Sequence, residues 1–72
     1  MDKYVICLNN QGYKASLEVR KLYLQLPDQK AEAMHCIRIL DEDGEDYVYP
    51  EQFFMPMEVS ESVSIALHKL AA

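Results

Sequence analysis

The sequence has no tryptophan, only two glycines, only two cysteines and seven basic residues. With Gly12 and Gly44 alone, no glycine-rich loop can cradle a phosphate. Cys7 and Cys36 stand far apart, which argues against a disulfide-stapled miniprotein. We expect two free, mostly buried thiols in a reducing compartment. No apolar run is long enough to span a bilayer. The apolar stretch from Tyr4 to Leu8 is five residues, too short for a secretory signal, which points to the cytoplasm. Seven basic residues face twelve acidic ones, for a net charge of −5. Non-specific nucleic-acid binding draws on lysine and arginine against phosphate, so this balance argues against such a partner. Only Arg20 and Lys21 form a local basic pair.

What is present fits one small globular domain. Half of the 72 residues are apolar or aromatic and about a quarter are charged. A chain this short buries only about 60% of its unfolded surface, so its stability is marginal. Residues 3–8, 18–26, 35–40, 46–49 and 54–59 read as strands, from their content of β-branched and aromatic residues and their turn-forming boundaries. In the second, Leu22, Leu24 and Leu26 share one face, opposite Lys21, Tyr23 and Gln25. In the third, Ile37 and Ile39 oppose Cys36 and Arg38. Asp28 can cap a single helical turn over residues 28–34, otherwise a loop. Asp41-Glu42-Asp43-Gly44 suits a tight hairpin with Gly44 at positive φ. Pro50 to Phe53 reads as a 3₁₀ turn. Ser60 can cap a helix starting at Glu61, with Val63, Ala66, Leu67 and Leu70 as its apolar stripe.

The acidic turn does not fit a calcium loop. Gly44 comes two places too early after Asp41, and the twelfth position is Gln52 rather than glutamate. Zinc has as candidate ligands Cys7, His35, Cys36 and His68, without the close pairing that a structural site wants. Neighbours on a strand, His35 and Cys36 point to opposite faces. A cysteine nucleophile needs an adjacent base, and Cys7 sits in an apolar run. We therefore expect no catalysis, no metal and no cofactor.

Gly44-Glu45-Asp46-Tyr47-Val48-Tyr49-Pro50-Glu51-Gln52-Phe53-Phe54 is the most distinctive stretch. Its tail, Pro50-x-x-Phe53-Phe54, resembles the turn before the last strand of SH3 domains. Together with Asn10-x-Gly12-Tyr13-x-Ala15-Ser16-Leu17 and Lys21-x-Tyr23, the pattern resembles a group of small, uncharacterised bacterial proteins. The resemblance covers most of residues 4–57 and implies a bacterial origin. It also implies an all-β fold: an SH3-like five-stranded barrel over residues 3–59, followed by a C-terminal α-helix over 60–71. It brings no activity with it. SH3-type grooves bind extended proline-rich peptides on exposed aromatics beside acidic loops. The residues that could serve so are Tyr47, Tyr49, Phe53 and Tyr13, with Glu45 and Asp46, and Tyr23 could extend the aromatic surface. If Val48 is core, Tyr47 and Tyr49 both face outward. The opposing expectation is that the tyrosines simply fill half-buried positions. A protein or peptide partner is the leading expectation. A homo-oligomer whose helices or barrel edges pair comes second, and a nucleic-acid-binding barrel third.

Overall fold

The computed structural model describes residues 3–41 and 43–71, and for residues 67–71 the backbone course alone. Expectations placed on Glu42 and on the side chains of Leu67, His68, Lys69 and Leu70 lie outside the described residues.

Five strands form one antiparallel sheet: β1 Lys3–Cys7, β2 Leu22–Leu26, β3 Cys36–Leu40, β4 Asp46–Pro50 and β5 Phe54–Met57. Their spatial order is β4-β3-β2-β1-β5, and the sheet is not closed. Its two edge strands, β4 and β5, follow one another in sequence with only the 3₁₀ turn Glu51–Phe53 between them. Three residues of 3₁₀ helix cover roughly 6 Å. The sheet must therefore curl until its edges come close.

The concave face is the core. It takes Val5 and Cys7 from β1, Tyr23 from β2, Ile37 and Ile39 from β3, Tyr49 from β4 and Phe54 from β5. The registers Val5↔Tyr23, Gln25↔Ile39 and Ile37↔Tyr49 place these positions on one side of the pleat. Ile37 and Ile39 are buried as their alternation requires, and Phe54 rather than Phe53 is the core phenylalanine. The leucines of β2 lie on the convex face and are only half-buried. That face also carries Ile6, Leu40 and Val48, so both sides of the sheet are apolar and alternation alone does not tell inside from outside.

The second strand starts at Leu22, four residues later than its composition suggests. Cys7 donates to the Lys21 carbonyl and accepts from the Arg20 amide, so two residues oppose one. Arg20 sits at φ 73°. This is a bulge with its first residue left-handed, and it delays regular pairing.

The stretch after Pro27 is a short helix, α1 Gln29–Ala33, capped by the Asp28 carboxylate accepting from the Ala31 amide. His35 follows its C-cap at φ 58° and donates its amide to the Glu32 carbonyl. Glycine is the residue that adopts this conformation without a Cβ clash. We expect His35→Gly to raise stability by about 0.5–1 kcal/mol, read as an upward shift of Tm. The side chain it removes is exposed, and its contact with Glu51 is 3.5 Å long.

The hairpin between β3 and β4 closes as expected. Gly44, at φ 75°, donates to the Asp41 carbonyl, and the Asp43 amide donates to Asp41 Oδ1. The second helix, α2 Glu61–Ala71, starts where the Ser60 hydroxyl accepts from the Val63 amide. Val63 and Ala66 of its stripe are exposed.

Candidate functional site

The loop between β1 and β2, residues 8–21, is bonded to itself. Tyr13 donates to the Asn10 carbonyl, and its own carbonyl accepts from Ser16 and Leu17. The Asn10 amide group returns to the Leu17 carbonyl at 3.0 Å. Leu17, 1% exposed, inserts into the core and pins the loop over the concave face. Tyr13 is thereby held edge-on to the ring of Tyr49, at 4.9 Å between centroids.

Tyr47 and Tyr49 share a face of β4, but that face is concave. Tyr49 is 1% exposed, and its hydroxyl donates to Asp41 Oδ2 at 2.9 Å while lying in hydrogen-bond contact with the Ser16 hydroxyl at 3.1 Å. It is a core residue rather than part of an outer surface. Two residues nearer the strand's start, Tyr47 lies at the rim and is 55% exposed. The outward reading of both tyrosines required Val48 in the core, whereas Val48 is half-buried on the convex side. Tyr23 is also core, 4% exposed, its hydroxyl accepting from the Glu18 amide at 2.7 Å.

Three accessible aromatics therefore come together. Tyr13 lies 6.4 Å from Tyr47 and 6.1 Å from Phe53, ring centroid to centroid, and Tyr49 packs edge-on against both Tyr13 and Tyr47. Tilted and edge-on rings at such distances attract one another and hold their orientation. Glu45 is exposed at the end of the hairpin, two residues before Tyr47 in the chain, and its backbone carbonyl accepts from the Asp41 amide. Asp46 is directed elsewhere. It lies on the convex side, where its Oδ1 accepts from Arg38 Nη1 at 2.8 Å.

Arg38 is held between two carboxylates, since its Nε also donates to Asp28 Oδ2 at 2.8 Å. The Ala31 amide, and next the guanidinium of Arg38, hold the Asp28 carboxyl below the usual carboxylate range. Burial pushes the Cys7 thiol up, and its Sγ donates to the Asn9 carbonyl at 3.3 Å. Protonated and enclosed, it is a poor nucleophile. Tyr49 is pushed up to about 12, by burial first, with Asp41 adding to the shift and Ser16 opposing it. Among the described residues, no three His, Cys, Asp or Glu side chains are grouped to hold a metal ion. No helix among them is long and apolar enough to cross a membrane.

Nothing in the sequence marks Asp41 and Ser16 as the partners of the Tyr49 hydroxyl: Asp41 lies on the hairpin before β4, and Ser16 on the distant loop between β1 and β2. No family model, no curated protein and no solved structure matches this chain.

Proposed function

We propose that this chain is a non-catalytic protein-interaction module of SH3-like architecture, acting in the cytoplasm of a bacterial cell. The strand order β4-β3-β2-β1-β5, with a 3₁₀ turn joining the two edge strands, supports that architecture. The observation that carries the function is the patch of Tyr13, Tyr47 and Phe53, seated through Tyr13 and Tyr47 on the buried Tyr49. Such rings offer rigid, amphipathic area on which an extended, proline-rich segment can stack. Glu45, two residues before Tyr47 in the chain, supplies a carboxylate for a basic residue of that segment. Arg38, already paired with two carboxylates, is not available to a phosphate backbone, which weighs against nucleic acid.

The test is a tagged pull-down from the native cell, wild type beside Tyr47→Ala, read by mass spectrometry after circular dichroism shows that both fold. Tyr47 is the right position because its exposed ring can be removed without opening the core. A partner retained by wild type and lost from the variant is the expected result. Equal recovery from both would overturn the assignment of the patch.

A second reading is a homo-oligomer. It is favoured by Val63, 43% exposed, and Ile65, 51% exposed, on α2, together with exposed Met55 and Met57 on the convex side of β5. Light scattering giving a dimer mass, reduced to a monomer by Val63→Asp, would support it. A monomer mass at high concentration would remove it.

A further inference from the structure

A second concavity lies at the other end of the strands from Tyr13 and Tyr47. It opens where β1 begins, β2 ends and β3 begins, between α1, the 3₁₀ turn and the segment after β5, and it has a volume of about 1250 Å³. Val5, Ile37 and Phe54 form its apolar base, and Pro56 and Met57 contribute further apolar lining. Glu32, Glu51 and Glu58 also line it, and Lys3 is the one cationic side chain of its lining among the described residues. All three glutamates are exposed. Neither Glu32 nor Glu58 has a cationic side chain within salt-bridge distance among the described residues, and Glu51 has only His35, at 3.5 Å.

We propose that this cleft docks an extended peptide segment of a partner protein, carrying an apolar anchor residue flanked by lysine or arginine. The volume exceeds that of ordinary small-molecule pockets, about 300–1,000 Å³, and the exposed Glu32, Glu51, Pro56 and Glu58 of its lining leave the cleft open to water. A compact metabolite would remain largely wet there, whereas an extended chain could bury one side chain and leave its ends in water. The charge selects among such chains. Three carboxylates against one ammonium, on a protein of net charge −5, attract a cationic segment and repel an acidic one. Met57, 40% exposed and unbranched, can adapt to anchors of different shape.

The site is separate from the aromatic patch, so each can fail without the other. The test is a ¹⁵N-resolved titration of the full chain with a synthetic peptide, a leucine pair flanked by lysine pairs. A second titration uses the same peptide with glutamate in place of lysine. The lysine peptide should give saturable shifts at Val5, Ile37, Phe54 and Met57, weakened by added salt, and the glutamate peptide should give none. Because Glu51 and Glu58 are exposed, Glu51→Lys/Glu58→Lys should fold, weaken the lysine peptide by at least about tenfold and admit the glutamate peptide. Shifts centred on Tyr13, Tyr47 and Phe53 would overturn the proposal, as would equal binding of both peptides or no saturable shift with either.

Discussion

Tyr49→Ala should abolish the cooperative thermal transition or lower Tm far more than any surface substitution. The residue it truncates is 1% exposed and packs at 4.9 Å from Tyr13, 5.2 Å from Tyr47 and 6.2 Å from Phe54. Removing a buried aromatic ring costs about 3–5 kcal/mol in a core that cannot collapse onto the gap. A small domain has on the order of 5 kcal/mol in total, so the loss is comparable with the whole stability. Tyr49→Phe isolates the hydroxyl. It keeps the ring and removes the bonds to Asp41 and Ser16, at a cost of about 1–2 kcal/mol. Circular dichroism melts of the two variants separate packing from hydrogen bonding. A loss below about 1 kcal/mol for the alanine variant would be incompatible with a core role.

The same residue sets an alkaline limit. Its hydroxyl ionises near pH 10 when the chain is unfolded and near 12 when folded, because burial disfavours the phenolate and Asp41 repels it. Below pH 10 both states keep the proton and the contribution of Tyr49 to stability is fully present. Between pH 10 and 12 the unfolded state loses its proton first, so stability falls as pH rises, by roughly 1.4 kcal/mol per pH unit. In Tyr49→Phe this fall should be reduced, which denaturant midpoints measured across that window would read.

Much of the strand layout is legible in the sequence, because turn residues bound each strand and alternation is local. The hairpin at Asp41–Gly44 and the Ser60 cap are local chemistry of the same sort. The inside of the sheet is not legible. In β2, three leucines alternate with Lys21, Tyr23 and Gln25, and the leucines look like the core face. The curled sheet instead places Tyr23 inside, where the Glu18 amide satisfies its hydroxyl. The leucines go to a convex face that is itself apolar. Tyr49 follows the same rule, since only the loops bearing Ser16 and Asp41 make its burial tolerable. The patch of Tyr13, Tyr47 and Phe53 is legible as a set of residue types, but not as an arrangement. Its geometry depends on a loop whose fold is set by contacts distant in sequence. Asp46 illustrates the converse, for it is adjacent to Tyr47 in the chain and faces the opposite side of the sheet.

Leu17→Ala should have the second-largest effect, and it couples the core to the candidate site. Among the described residues, Leu17 is the one buried loop residue of the core cluster, 1% exposed. Loops longer than about 12 residues without structure of their own rarely stay ordered unless something ties them down. Here the tie is Leu17 in the core, reinforced by its amide donating to the Tyr13 carbonyl at 2.9 Å. Truncation should cost about 2–4 kcal/mol, while Leu17→Met, which conserves volume, should cost less than about 1.5 kcal/mol. The consequence for function is separable from the loss of stability. At temperatures where Leu17→Ala is still folded, Tyr13 should lose its fixed position over Tyr49, and partner capture should fall although Tyr47 and Phe53 are intact. Ring-to-ring NOEs between Tyr13 and Tyr49 would report this directly. If those NOEs persist in a destabilised Leu17→Ala, the hydrogen bonds from Asn10 and Ser16 hold the loop by themselves, and the patch is organised independently of the core.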